Sequence, residues 1–495
     1  MKRALILAVL LMLAAPAAFV VAGWQVNSQK ENIMFTESTL YGDPEAAAGL
    51  RISLASQWEG HLLWDTSYVM GSKETENSFA FSTREVSWEQ SEIGYGYIGI
   101  DCVVNWGTVG TNGPSSPFNP DRSPLPEVVK AMMERTKAGE RRTERVFLKE
   151  YYEYYPLVLK LYNDNYNVNY DSGTELTDDV DYLTDFYHIP ASDREILEIT
   201  LEKDEAGEVI DVKCHMLSGL GITNLSVFGR DGAYHAYYLY GLVNVDYKEE
   251  AIREGNRISG VWVEPGENYG IYYYPYEETY GYRYTGELTI DPAQVKKVCD
   301  LEPGIALKDM ALNETEDRLY LVTKDGQDFY LSVYEVEEAG LALRQKLFVR
   351  SEAEDWGDIS WCRLSVKEEG VVMVWQDGSF AFMVGQGEEI KLWRLEQEPV
   401  LGSLSLNENV WDFDGERLAF ASFADTGSVS VSLTVYTKDG LAYHGICQHS
   451  GGMSPSDGPR DAFTPFTQKI AAYTSPTEVL RYGDIYTEFR GVEWE

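Results

Sequence analysis

The densest chemistry-bearing stretches of this chain are aromatic. Tyrosines number 34. They gather at Tyr151, Tyr152, Tyr154 and Tyr155, at Tyr237, Tyr238 and Tyr240, and at Tyr272, Tyr273, Tyr274 and Tyr276, with Tyr280, Tyr282 and Tyr284 following. A tyrosine offers contact area and a hydroxyl at little entropic cost, so exposed tyrosines on a rigid scaffold suit the recognition of sugars or peptides. Successive strand side chains point to opposite faces, so a Tyr-Tyr-Tyr run places rings on both. Tyr272, Tyr273, Tyr274 and Tyr276 are therefore the candidate ligand-binding residues. The competing reading is that tyrosine simply favours half-buried strands.

Hard oxygen ligands concentrate between Asn163 and Glu175. Asn167, Asn169 and Asp171 alternate as calcium-loop ligands do, which makes them calcium candidates. The loop is incomplete, because the glycine comes one place late and Asp178 stands where a bidentate glutamate belongs. His444, Cys447 and His449 are the closest histidine–cysteine grouping, but a strand puts His444 and Cys447 on opposite faces. Ser454 and Ser456 lie near His449 in sequence without an orienting acid or an oxyanion hole. Gly94–Gly99 matches G-x-G-x-x-G, yet Ile100–Trp106 reads as strand where a dinucleotide site needs a helix. GxSxG, HExxH and GxxxxGK[ST] do not occur. Among 80 acidic residues, pairs spaced for glycoside hydrolysis arise by number alone. No catalytic residue is assigned and no cofactor is called for.

The elements that must position these groups are mostly strands. Asp-Gly recurs at 231–232, 325–326, 377–378, 414–415 and 439–440 between alternating apolar runs, a hairpin signature in which both turn positions take positive φ. The runs RLYLV, VVMVW and RLAFA begin near residues 318, 371 and 417, a period of about 50 residues with three to four strands each. That is the period of a β-propeller blade. With these features the chain resembles exported, membrane-tethered β-propeller-like proteins of undefined role, although the Gly-His…Trp-Asp signature is absent. The resemblance implies an all-β fold of about six to eight four-stranded blades. Residues 46–300 read as an irregular β-rich half and 301–495 as a regular, blade-like half. The alternative is two separate β domains divided near Pro292–Pro303. One short helix is expected from a Ser123 cap to Gly139, with Arg141, Arg142 and Arg145 at its solvated end.

Ahead of the β region, Lys2 and Arg3 precede an unbroken apolar run, Ala4–Trp24, long enough to span a bilayer and also readable as a signal peptide. An uncleaved anchor would leave the N-terminus in the cytoplasm and everything after Trp24 outside. Residues 25–45 form a polar stalk. The net charge of −39 repels nucleic acid and anionic headgroups. The five cysteines show no CxxC spacing and read as buried thiols, one or two bridges remaining open.

The sequence thus points to a non-enzymatic, extracytoplasmic binding or accessory protein, single-pass in the cell membrane, that recognises a membrane partner or a peptide or glycan. A secreted or tethered carbohydrate-active enzyme and a structural envelope protein are the alternatives.

Overall fold

The computed structural model describes residues 35–58, 62–72, 75–81, 97–102, 120, 125–163, 166–167, 183–191, 196–218, 220–242, 260–262, 269–276, 292–352, 361–375, 377–386, 389–397, 410–423, 430–449, 479–482 and 485–495, with Met12, Ala14 and Val20. The apolar run Ala4–Trp24 otherwise lies outside them. Among the described residues no helix is long and apolar enough to cross a membrane.

In chain order the strands are β1 (Phe35–Gly42), β2 (Leu50–Trp58), β3 (Leu62–Val69), β4 (Thr75–Phe81), β5 (Tyr97–Cys102), β6 (Arg141–Phe147), β7 (Leu157–Asn163), β8 (Tyr166–Asn167), β9 (Ile196–Lys203), β10 (Val209–Ser218), β11 (Leu220–Phe228), β12 (Gly232–Leu242), β13 (Gly260–Trp262), β14 (Gly270–Pro275) and β15 (Lys296–Asp300). There follow β16 (Ala306–Leu312), β17 (Arg318–Asp325), β18 (Asp328–Glu337), β19 (Gly340–Ser351), β20 (Cys362–Val366), β21 (Gly370–Trp375), β22 (Phe380–Gln386), β23 (Glu389–Glu396), β24 (Trp411–Phe413), β25 (Arg417–Phe423), β26 (Ser430–Thr437), β27 (Gly440–His449), β28 (Val479–Tyr482) and β29 (Ile485–Trp494). The protein is all-β with few helices, built among the described residues of antiparallel sheets of three to five strands, two of them four-stranded. Two units divide the chain: residues 1–89 with 365–495, and residues 90–364. The second division falls inside β20, away from Pro292–Pro303.

In the first unit the two ends of the chain interlock. β1 pairs with β27 at the edge of the sheet β1-β27-β26-β25-β24, and β2 pairs with β29 inside β28-β29-β2-β3-β4. Strand β21 is buried at every position. Its Val372 and Val374 join Trp411, Leu418, Phe420, Leu54 and Phe489 in one core shared by strands from three sheets. Each such aliphatic or aromatic side chain adds about 1.5–3 kcal/mol on burial.

In the second unit the sheet β11-β12-β14-β15 carries apolar clusters on both faces. The pleat sorts them: Ala233, Tyr237 and Leu239 of β12 join one cluster, and Ala236 and Tyr238 the other. The second cluster is completed by Leu307, Met310, Leu319 and Leu321 from the sheet β16-β17-β18-β19.

The spacing near residues 318, 371 and 417 marks β17, β21 and β25, which pair with β16, β20 and β24 respectively. The Asp-Gly pairs do close hairpins, but by another route than two positive-φ residues. Gly326, Gly378 and Gly415 have φ of 59°, 80° and 100°, whereas no aspartate is among the described residues with positive φ. The aspartates act through their side chains: Asp377 accepts from the Ser379 N–H at 2.9 Å and Asp414 from the Glu416 N–H at 2.9 Å.

The expected helix is α1 (Pro126–Arg135), entered through Leu125 rather than a serine cap and started by Pro126. Its continuation is corrected. Gly139, at φ 72°, turns the chain, and Arg141–Phe147 is strand β6, not a helix end. Its pairing with β9 matches opposite charges, Arg145 to Glu198 at 3.1 Å and Arg141 to Glu202 at 3.7 Å.

Candidate functional site

The four tyrosines singled out by sequence do not share a surface. Tyr272 and Tyr274 are 0% exposed. The Tyr274 and Tyr187 hydroxyls are hydrogen-bonded at 2.6 Å, and Tyr272 packs edge-on against Tyr187 at 4.8 Å. Tyr273 points to the other face, against Tyr234, and remains partly exposed. Tyr276 donates to the Gly229 carbonyl at 3.1 Å. Within this run the sequence pattern marks the core as much as the surface.

His235 belongs to the same aromatic cluster. Its Nε2 lies 2.8 Å from Asn224 Oδ1, and Asn224 also accepts from the Ile100 N–H and donates to the Ile100 carbonyl. Burial pushes His235 down to about 3, so it is neutral across physiological pH. Through Asn224 this buried imidazole links β12, β11 and β5.

The calcium candidates Asn169 and Asp171 lie outside the described residues, and Asn167 forms part of the two-residue strand β8. No group of three metal-ligating side chains occurs among the described residues. His444 lies on the opposite face of β27 from buried Cys447 and His449, as the alternation requires. The described thiols Cys214, Cys299, Cys362 and Cys447 are free. Burial raises all four, Cys214 and Cys447 to about 12, which disfavours their thiolate forms.

Among the described residues one carboxyl is held above its usual range by burial. Asp309, on the edge strand β16, rises to about 6. The opposing influences are Arg363 and the Leu364 and Met310 N–H groups, which its oxygens accept at 2.8 and 3.0 Å.

A partly exposed apolar face lies on β19. Among the described residues β19 pairs only with β18, in a register that matches Tyr334 with Leu343, Ser332 with Lys346 and Tyr330 with Phe348. These pairs share the face that carries Leu319 and Leu321 inward on β17. Towards the edge that face opens to solvent: Leu343 is 54% and Phe348 49% exposed. Phe348 stands edge-to-face on Tyr330 at 5.8 Å, and the Lys346 ammonium lies 5.1 Å over the Tyr330 ring. Glu302 holds Lys346 at 3.7 Å. The result is an apolar platform with a cation at its centre. Leu343 and Phe348 stand at opposite strand parities in the sequence, and the register shift between Val333 and Tyr334 brings both to one face.

No family model matches the chain, and no curated protein matches it. Solved structures that align with it include a putative 6-phosphogluconolactonase from Bacteroides uniformis (8% identity, 79% of this chain and 95% of that one, TM-score 0.28). A periplasmic gluconolactonase from Pseudomonas aeruginosa also aligns (9% identity, 81% and 96%, TM-score 0.27), as does TolB from Acinetobacter baumannii (8% identity, 80% and 79%, TM-score 0.21). Likeness at this level carries no argument about fold or activity.

Proposed function

We propose that this chain is an extracytoplasmic, non-enzymatic binding protein, held at a membrane by its N-terminal apolar run, whose β-propeller-like ectodomain recognises an extended segment of a membrane partner. The observation that carries the reading is the β19 platform, where Leu343 and Phe348 stay about half in solvent beside Lys346. A polypeptide satisfies all of it: apolar side chains for Leu343 and Phe348, and carbonyls or a carboxylate for the ammonium. Leu343 offers nothing to a sugar hydroxyl. The propeller-like arrangement is supported by the consecutive antiparallel sheets, by their face-to-face packing within each unit, and by the interlocked chain ends of the first unit.

Affinity capture of the tagged full-length chain from native membranes in mild detergent, with intact mass of the captured protein, tests this. A stoichiometric membrane partner and an uncleaved N-terminus support it. A mass shortened by about 17–22 residues, as signal-peptide removal gives, with no partner, overturns it.

A second reading, a carbohydrate-active enzyme, rests on Asp309, whose raised pKa suits a general acid. Glycoside hydrolysis needs a second carboxyl roughly 5–10 Å away. The described side chains that act on Asp309 are Arg363 and Cys362. Glycan hydrolysis abolished by Asp309→Asn would establish the enzyme reading.

A further inference from the structure

Sheet edges invite added strands, and folded proteins blunt them with outward charge. The edge strands β6, β19 and β23 obey this rule. β6 carries Arg141, Arg142 and Arg145, β19 carries Arg344 and Lys346, and β23 carries Glu389 and Lys391, exposed in most cases. β1 departs from it. It is eight residues long and, among the described residues, pairs only with β27. Its one charge, Glu37, is turned back into its own unit, where it accepts from the Tyr68 hydroxyl and from the Gly71 N–H at 3.3 Å. Thr36, Ser38, Thr39, Leu40 and Tyr41 are exposed, the last two at 58% each.

The position of β1 in the chain says what can reach it. Residues 25–34 alone separate Trp24 from Phe35. Ten residues extend at most about 35 Å, so an anchored chain presents β1 close to the bilayer. Every copy carries the same tether and holds the same strand at the same height. A net charge of −39 opposes random association, so contact between copies requires a locally neutral strip.

We propose that β1 is a self-association edge: two copies pair their β1 strands antiparallel about a two-fold axis at Ser38, joining the two β1-β27-β26-β25-β24 sheets into one. Thr36 of each strand then faces Leu40 of the other. Glu37 faces Thr39 rather than a second carboxylate, and the contact is closed and isologous. This rests on the membrane tether proposed above, not on the β19 platform.

The test is disulfide trapping in native membranes with the full chain. Paired strands hold opposed Cα atoms about 4.5–5.5 Å apart, within disulfide reach. Ser38→Cys is expected to give several-fold more covalent dimer under mild oxidant than Glu338→Cys, placed on the exposed β18–β19 turn. Adding Thr36→Lys to Ser38→Cys is expected to remove that excess. Equal trapping at the two positions, or trapping of Ser38→Cys to a protein of different mass, overturns the proposal. Intact mass on the same sample keeps the two readings apart. An uncleaved chain without Ser38 trapping defeats the strand pairing and leaves the tether standing. A cleaved chain defeats the tether whatever the trapping shows.

Discussion

Phe348 sets its ring edge-to-face on Tyr330, 5.8 Å between centroids, while 49% of Phe348 stays in solvent. A phenylalanine packed on one neighbour yet half uncovered keeps apolar area available for contact. Phe348→Ala removes exposed area and one ring pair. It is expected to lower thermal stability by no more than about 1 kcal/mol and to weaken partner capture far more than it weakens the fold. Thermal melts beside capture yields separate the two effects.

Lys324 and Glu352 form an ion pair of 2.7 Å with side chains only 2% and 6% exposed. Lys324 also lies 5.6 Å over the Phe329 ring. Removing one member leaves a buried charge uncompensated, so Lys324→Met is expected to cost about 3–5 kcal/mol. Lys324→Met with Glu352→Leu is expected to recover most of that loss. Urea midpoints of the two variants check this, and additive losses would contradict it.

Asp309 and the buried histidines pull stability in opposite directions with pH. The folded-state pKa of Asp309 is raised to about 6. Its contribution is therefore fully present below the unfolded value near 4 and is lost as pH rises through 6. Asp309→Asn is expected to stabilise the chain above pH 7 by about 1–3 kcal/mol relative to wild type, with the difference vanishing at pH 4. Denaturation midpoints across that range read the slope directly.

His235 and His449 are pushed down to about 3 and 4 by burial. Their contribution is present above the unfolded value near 6.5 and fades as pH falls towards 4. His235→Gln keeps a donor for Asn224 and removes the titration. Its unfolding midpoint is expected to fall less between pH 6.5 and 4 than that of wild type. An unchanged acid slope would show that His235 is not buried as described.

The regular half of the fold was legible because its signals are local. Glycine at a hairpin and alternation on each side need only neighbours in sequence, and β17, β21 and β25 start where the pattern places them. What was not legible is set by partners far along the chain. Arg141–Phe147 has helix-compatible composition and becomes a strand because β9, some 50 residues on, supplies its glutamates. Tyr272 and Tyr274 go inside because β12 and the Tyr187 segment cover them, and tyrosine fits either side of a strand. The β19 platform escaped because the bulge between Val333 and Tyr334 shifts its register, which no period-2 reading of β19 alone shows.

The proposed binding of a membrane partner by the β19 platform can be read in one comparison. Its most direct test is parallel capture from native membranes of the wild-type chain and of Leu343→Asp with Phe348→Ala, both confirmed folded by their melts. A stoichiometric membrane protein is expected with wild type and is expected to be lost with the double variant. An identical captured set from both would contradict it.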